Sequence, residues 1–218
     1  VDFCYDLDFY EDFGFGNFEA NGWDYESNWA VNAQEGYPAP AAEFMWDPIQ
    51  TEYALGLITY PLCAQGITEG DMWLEFDYML DAVNATGEEW LHVQIWNWDS
   101  QEFMTVASFS NIDGSVAWNG NRIKINSAKS KVFKVRFLAQ GLNSLDILGW
   151  YIDNVHIFRN CEGAYDVTAT EYGDDYDDIM VRWTNPSGGL VDEWIHWDDG
   201  EFVTVVGTNS PVEFQCAA

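Results

Sequence analysis

Apolar and polar side chains alternate, one by one, through several short segments of this 218-residue chain. In residues 72–80, Leu74 and Phe76 share one face while Glu75 and Asp77 point the other way. A period of two residues is the period of a β-strand with one buried face. The same alternation recurs in residues 90–98, 132–139 and 150–158. Turn-forming Asn, Asp and Gly residues separate these segments, so we predict an all-β fold built as an antiparallel jelly-roll β-sandwich.

The chain changes character after residue 160. Residues 166–170 alternate as a strand, an acidic loop follows, and residues 179–183 predict another strand. We therefore expect a first domain over residues 1–160 and a second, smaller β-sandwich over residues 161–218. A sandwich of the immunoglobulin type takes about 100 residues. The second sandwich is thus predicted to be incomplete, with edge strands open for pairing with a partner.

Charge limits the partners that the chain can bind. It carries 37 acidic and 8 basic residues, for a formal net charge of −29. Such a chain repels phosphate backbones, so we exclude nucleic acid as a partner. Carboxylates are also the ligands that hard cations such as Ca²⁺ prefer. No apolar run approaches the length of about 18 residues that a membrane-spanning helix needs, so no membrane span is predicted.

Four cysteines are spread along the chain, outside any Cys-x-x-Cys or Cys–His zinc motif: Cys4, Cys63, Cys161 and Cys216. An even number of cysteines without such a motif is typical of disulfide-bonded extracellular proteins. Four cysteines allow three pairings. We favour Cys4 with Cys63 and Cys161 with Cys216, because each bond then lies within one predicted domain. The cysteines therefore predict a secreted or cell-surface protein.

Motifs at both ends of the first domain point to one family. Residues 10–13 are Tyr-Glu-Asp-Phe, Gly22 and Trp23 follow, and residues 149–157 are Gly-Trp-Tyr-Ile-Asp-Asn-Val-His-Ile. With these motifs in this order, the first domain resembles the MAM-like jelly-roll modules of the cleaved-adhesin or choice-of-anchor J type. The segment after Cys161 resembles the opening of a fibronectin type III-like domain. The resemblance implies a non-catalytic module of a bacterial multidomain protein that is secreted or attached to the cell surface.

The resemblance also implies a structural calcium ion. Modules of this type commonly bind calcium through an acidic residue of the first strand and the aspartate of the last. In this chain those residues are Glu11 and Asp153, with Asp12 as the nearby alternative. Calcium takes six to eight oxygen ligands, and carboxylates on adjacent strands can converge on it. The alternative is that Glu11 and Asp153 accept hydrogen bonds from backbone amides.

The segment 90–98 is the best candidate for ligand binding. Its alternation places five side chains on one face: Trp90, His92, Gln94, Trp96 and Trp98. Indole rings stack on the C–H faces of pyranose sugars, and an amide and an imidazole can orient sugar hydroxyls. We therefore predict a glycan-binding platform here. Two alternatives remain open: loops cover these rings, or the rings form the core and Leu91, Val93 and Ile95 face outward.

Catalytic motifs are absent from the sequence, which has neither a Gly-x-Ser-x-Gly nucleophile elbow nor a His-Glu-x-x-His helix. We therefore expect no enzymatic activity. The main hypothesis is a calcium-stabilised adhesion or ligand-binding module, with a glycan or an extracellular protein as its partner and with neighbouring domains in a longer chain. The alternatives are a structural spacer of a stalk or filament with no ligand of its own, and an accessory carbohydrate-binding domain of a secreted hydrolase.

Overall fold

The structure of the protein is a computed structural model, which describes residues 4–68, 70–160, 165–172, 178–184, 190–198 and 201–205. The chain divides into two compact units, Val1–Asn160 and Cys161–Ala218. The described residues form β-strands joined by turns and by four short 3-10 helices, which confirms the predicted all-β fold class. Among these residues, no helix is both long enough and apolar enough to span a membrane.

The described residues of the first unit form fourteen strands, numbered in chain order. They are β1 (Tyr5–Asp6), β2 (Phe9–Glu11), β3 (Trp23–Tyr25), β4 (Trp29–Asn32), β5 (Ala41–Met45), β6 (Thr51–Thr59), β7 (Leu62–Cys63), β8 (Asp71–Ala82), β9 (Trp90–Asn97), β10 (Glu102–Ser110), β11 (Val116–Lys124), β12 (Val132–Phe133), β13 (Val135–Asn143) and β14 (Ile147–Asn160). The 3-10 helices are Glu19–Asn21, Asn111–Asp113, Asn126–Ala128 and Ser144–Asp146.

Two antiparallel sheets face each other in the first unit. One has five strands in the order β10-β9-β13-β6-β3. The other has the order β11-β8-β14-β5-β4, with β2 also paired to β14 as its sixth strand. The rings of Phe76 in β8 and Phe137 in β13 lie 5.2 Å apart between centroids, so the core fills the space between the sheets. This arrangement is the predicted β-sandwich.

Strand β8 shows how the alternation of the sequence builds this core. Leu74 and Phe76 are almost fully buried, whereas Glu75 and Asp77 between and beyond them lie on the outer face of the sheet. Burial of each large apolar side chain stabilises the fold by about 1.5–3 kcal/mol. A chain with this period therefore gains most when it pairs as a strand with one face against the second sheet.

The beginning and the end of the first unit are neighbours in one sheet. Strand β2 runs antiparallel to β14, with Phe9 opposite Ile157 and Glu11 opposite Val155. A small third sheet has the order β1-β7-β12 and joins β1 to β7 in parallel.

A disulfide bond links Cys4 to Cys63 beside this small sheet, with 5.4 Å between their Cα atoms. The predicted pairing of these two cysteines is confirmed. The other predicted pair, Cys161 with Cys216, lies outside the described residues.

The described part of the second unit is one antiparallel sheet. Its strands follow chain order: β15 (Tyr165–Tyr172), β16 (Asp178–Thr184), β17 (Leu190–Asp198) and β18 (Glu201–Val205). The predicted strands at residues 166–170 and 179–183 lie within β15 and β16. Its resemblance to a fibronectin type III-like domain stays a prediction.

Candidate functional site

Strand β9 carries the predicted platform on the outer face of the five-stranded sheet. Leu91, Val93 and Ile95 are buried in the core, with at most 1% of their surfaces exposed. Because side chains alternate along a strand, the alternate members of β9 that begin with Trp90 project to the opposite face. Those members are Trp90, His92, Gln94 and Trp96.

The fifth predicted platform residue, Trp98, lies just beyond the end of β9 and is 41% exposed. Its ring meets the edge of the Trp96 ring at 5.9 Å between centroids. Trp90, His92 and Trp96 are partly buried, so packing against neighbours covers part of each ring and leaves part of it open. The alternative that the tryptophans of β9 form the core is therefore wrong.

Neighbouring strands add side chains that the sequence analysis did not include. The register places Ser108 and Phe103 of β10 opposite His92 and Trp96. On the other side, Arg136 of β13 lies opposite Gln94. The outward position of Arg136 followed from the alternation in residues 132–139, but its place beside Gln94 depends on the strand order.

Hydrogen bonds hold the polar centre of this face in one arrangement. Gln94 Nε2 donates to Thr105 Oγ1 at 3.0 Å, and Arg136 Nε donates to Gln94 Oε1 at 2.7 Å. His92 Nδ1 lies 2.8 Å from Ser108 Oγ. An amide held from both ends cannot rotate freely, so its orientation is set before a ligand arrives.

Aromatic rings lie at both ends of the polar centre. At one end the rings of Trp90 and His92 are nearly parallel, with 5.8 Å between centroids and 7° between planes. At the other end Trp96 packs edge-on against Phe103 at 4.9 Å. The Arg136 guanidinium lies 3.7 Å from the centroid of Phe103, a cation–π contact that connects this end to the centre. Residues 90 to 96 of an extended strand span about 20 Å.

Burial favours the neutral form of the His92 imidazole. Burial lowers the pKa of His92 below its ordinary value of 6.5, because a partly buried charge loses hydration. A neutral imidazole presents one N–H donor and one nitrogen acceptor. It can therefore exchange hydrogen bonds with hydroxyl groups, which both donate and accept.

Glu11, the first predicted calcium ligand, lies on the core side of the six-stranded sheet. It is opposite Val155, a core residue, and paired residues of adjacent strands share a face. Its Oε1 accepts a hydrogen bond from the Phe13 amide at 2.6 Å, and its Oε2 accepts one from Trp23 Nε1 at 3.0 Å. Burial raises the pKa of Glu11, although these hydrogen bonds oppose the shift.

Asp153, the second predicted ligand, lies on the other side of the same sheet. It is opposite Asp77, whose neighbours in β8 face the core, so both aspartates lie on the outer face. Asp153 is fully buried there, and its carboxylate accepts hydrogen bonds from the backbone amides of Tyr37 at 2.6 Å and Asn154 at 2.7 Å. Burial raises the pKa of Asp153 to about 6, and the charges of Asp77 and Asp12 add to this rise.

The three predicted calcium ligands do not fit one ligand set. Glu11 and Asp153 lie on opposite faces, and both accept hydrogen bonds from backbone amides, the alternative that the sequence left open. Asp12 is exposed, and its Oδ1 accepts from the Gly14 amide at 2.9 Å. Calcium requires six to eight oxygens at one point. Within the described part of the chain, no three His, Cys, Asp or Glu side chains lie close enough to hold a metal ion.

Comparison with known proteins gives similarity to solved structures only. No protein-family model and no curated protein matches the sequence. The CBM22-2 xylan-binding domain of Paenibacillus barcinonensis Xyn10C is 17% identical over 70% of this chain and 99% of that domain, with a TM-score of 0.49. The K1 cleaved adhesin domain of Lys-gingipain from Porphyromonas gingivalis W83 is 13% identical over 69% of this chain and 97% of that domain, also with a TM-score of 0.49.

A third solved structure, a non-crystalline cellulose specific carbohydrate-binding module of the CBM28 type, is 16% identical over 72% of this chain and 99% of that module. Its TM-score is 0.45. These identities and TM-scores are too low to assign a function to this protein.

Proposed function

We propose that the protein is a non-catalytic binding module that holds a glycan on the outer face of its five-stranded sheet. One observation carries the proposal: partly open aromatic rings lie at both ends of a polar centre that hydrogen bonds hold in place. The rings are those of Trp90 and Trp96, and the polar centre is formed by Gln94 and Arg136.

This arrangement suits the chemistry of a sugar chain. The C–H faces of pyranose rings pack on indoles, while amide and guanidinium groups form paired hydrogen bonds with neighbouring hydroxyls. A face about 20 Å long is extended enough to contact several linked sugars. The net charge of −29 repels polyanions, so a neutral glycan is favoured over an acidic one.

One contact on this face resembles a pair of groups found in some catalytic sites. His92 Nδ1 and Ser108 Oγ join a base to a hydroxyl, as in hydrolases with an activated serine. In those enzymes a carboxylate usually orients the imidazole. Here the ring of His92 stacks on Trp90. Because His92 is held by stacking on Trp90 and not by a carboxylate, the His92–Ser108 pair supports a role in binding over a role in catalysis.

We place this module outside the cell, in a secreted or cell-surface protein with further domains. The disulfide between Cys4 and Cys63 supports this placement, because such bonds persist in oxidising compartments. The module would then act in adhesion or as the carbohydrate-binding domain of a secreted hydrolase. A spacer role in a stalk or filament is the alternative, and it predicts no ligand for the platform.

A glycan array with the purified chain tests the proposal. Binding to one class of neutral glycan is expected, and Trp90→Ala should weaken it about tenfold or more, equivalent to about 1.4 kcal/mol. Phe15→Ala is the matched control, because Phe15 is an aromatic residue in the loop after β2 with 72% of its surface exposed. A folded protein that binds no glycan would support the spacer role, and equal losses in both variants would remove Trp90 from the site.

Calcium stabilisation remains a separate proposal. Its support is electrostatic: burial is the main cause of the raised pKa of Asp153, the charges of Asp77 and Asp12 add to it, and a nearby cation would relieve that repulsion. Added Ca²⁺ should then raise the melting temperature, a chelator should reverse the rise, and Asp153→Asn should abolish it. If neither Ca²⁺ nor the chelator changes the melting temperature of the wild-type protein, calcium is excluded as a stabilising ion.

A further inference from the structure

A cavity opens on the side of the sandwich away from the platform. It lies on the outer face of the six-stranded sheet and has a volume of about 410 Å³. This volume is within the range of about 300–1,000 Å³ that is usual for small-molecule sites. The residues that line it include Tyr10, Asp77, Gly120, Asn121, Arg122 and Asn154.

A β-bulge forms one wall of this cavity. The register between β14 and β8 shifts between Asp153 and His156, and Asn154 within the bulge has a φ of 51°, which is rare for a residue other than glycine. Asn154 Nδ2 donates to the carbonyl of Tyr37 at 2.6 Å and to Asp77 Oδ2 at 2.9 Å. Bulges and left-handed backbone of this kind concentrate at binding sites, where they redirect a side chain.

The floor of the cavity is open because residue 120 is a glycine. Gly120 of β11 lies opposite Asp77 of β8, and a Cβ at position 120 would lie 3.2 Å from Asp77 Oδ1. Any larger side chain at this position would therefore fill the space over the carboxylate. Glycine inside a strand often marks a point where a ligand approaches the backbone.

The remaining walls contribute the guanidinium group of Arg122 and the exposed aromatic ring of Tyr10. Arg122 Nε lies 3.2 Å from Glu75 Oε1, and the guanidinium lies 4.4 Å from the centroid of the Trp73 ring. Tyr10 is 51% exposed, and its hydroxyl donates to Asn154 Oδ1 at 2.8 Å, which fixes the ring against the bulge.

We propose that this cavity binds a single neutral pyranose unit, at a site separate from the platform. Asp77 supplies an acceptor, Arg122 supplies donors, and Tyr10 supplies a ring for the C–H face of the sugar. Planar polar side chains beside one exposed ring match the alternating hydroxyls and C–H groups of a pyranose. The proposal goes beyond the platform and does not depend on it.

A titration followed by NMR tests the site in the full chain. The probes are methyl β-D-glucopyranoside, methyl β-D-galactopyranoside and methyl β-D-xylopyranoside. With at least one of them, the amide signals of Gly120, Asn121 and Asn154 should shift in a saturable way. Gly120→Val fills the cavity and should weaken this binding about tenfold or more. Ala117→Val, an equally exposed change on the same strand, should leave it unchanged.

Further outcomes separate this site from the platform and from another ligand. Arg122→Gln serves as a second variant that leaves the floor open, and it should also weaken binding. The absence of saturable shifts at the cavity, or shifts that survive in Gly120→Val, would overturn the proposal. Shifts caused by N-acetyl-lysine methylamide and by none of the sugars would overturn it in favour of a cationic ligand. The indole N–H signals of Trp90 and Trp96 report on the platform independently, so either site can fail alone.

Discussion

Asp153 shows how one buried side chain couples the fold to pH. Its folded-state pKa of about 6 lies above its ordinary value of 3.8, so the folded protein takes up a proton more readily than the unfolded chain does. The stability that this difference contributes is complete below about pH 4 and is lost as the pH rises through about 6. A shift of about two pKa units corresponds to about 3 kcal/mol.

Asp153→Asn should remove this pH dependence. In a chelating buffer, the free energy of unfolding of the wild-type protein relative to the variant should fall by about 2–3 kcal/mol between about pH 4 and pH 7. Urea denaturation of both proteins across this range measures the difference. Parallel curves for the two proteins would show that Asp153 titrates normally in the folded state.

Trp96 is the residue that best distinguishes a binding face from a core. It is partly open, its Nε1 is buried without a hydrogen-bond partner among the described residues, and its ring packs on Phe103. Trp96→Ala should therefore abolish glycan binding and lower the free energy of unfolding by about 1–2 kcal/mol, less than the 3–5 kcal/mol typical of a buried tryptophan.

Trp150→Ala is the matched comparison, because Trp150 is fully buried between the sheets. Thermal or urea unfolding of the two variants gives the stability difference, and the glycan array gives the binding. If Trp96→Ala destabilises the protein as much as Trp150→Ala does, then Trp96 acts as a core residue.

Sequence periodicity sorted the residues of β9 into two rows but did not decide which row is buried, and it did not place Glu11. The alternation of residues 90–98 correctly separated Leu91 and Val93 from the outward row. The side on which Glu11 lies depends instead on the register between β2 and β14, and a shift of one residue moves every side chain to the other face. Nothing in the spacing of Glu11 and Asp153 encodes that register.

At the scale of elements, Glu89 fixes the start of the platform strand. It is fully buried directly before β9, and its Oε1 accepts hydrogen bonds from the amides of Leu142 at 3.0 Å and Asn143 at 2.8 Å. The hydroxyl of Tyr53 donates to its Oε2. One carboxylate thus connects β9 to the end of β13 and to β6.

Glu89→Ala should destabilise the protein strongly, because it leaves the buried Tyr53 hydroxyl and the partly buried amides of Leu142 and Asn143 without their acceptor. Each such donor costs about 1–3 kcal/mol, so we expect a loss of about 3 kcal/mol or more in the free energy of unfolding. Glu88→Ala is the control, since Glu88 is exposed and adjacent. Urea denaturation measures both variants. Equal midpoints for the two would show that the amides of residues 142 and 143 find other partners.

Elements with strict alternation could be predicted from sequence, and elements without it could not. Strand β8 buries alternate residues along most of its length, and its position was predicted. Strand β10 has no regular alternation, and its register shifts between Thr105 and Ala107. An irregular strand at the edge of a sheet has one neighbour and little buried surface to impose a pattern. Phe103 and Ser108 were therefore missed.

At the scale of the whole molecule, the disulfide links the start of the first unit to strand β7, in the middle of the unit's sequence. Cys4 and Cys63 are 59 positions apart, and closing a loop of this length in the unfolded chain stabilises the fold by about 4 kcal/mol in the chain-entropy model. The double variant Cys4→Ser/Cys63→Ser should lose about that amount. Urea denaturation measures the loss, with Ser100→Ala, at an exposed position, as a control for surface substitution. An unchanged midpoint would show that the unfolded chain is already compact around these positions.

The antiparallel pairing of β2 with β14 has a mechanical consequence. Both strands meet the adjoining chain at the same end of the sheet, because Phe9 lies opposite Ile157. Tension between the two ends would therefore act perpendicular to the strands and break the hydrogen bonds between β2 and β14 one after another. The bond between Cys4 and Cys63 diverts that tension past β2 altogether. The pulled strand is then β14, held between β8 and β5, so an oxidised module resists stretching and a reduced one opens at β2.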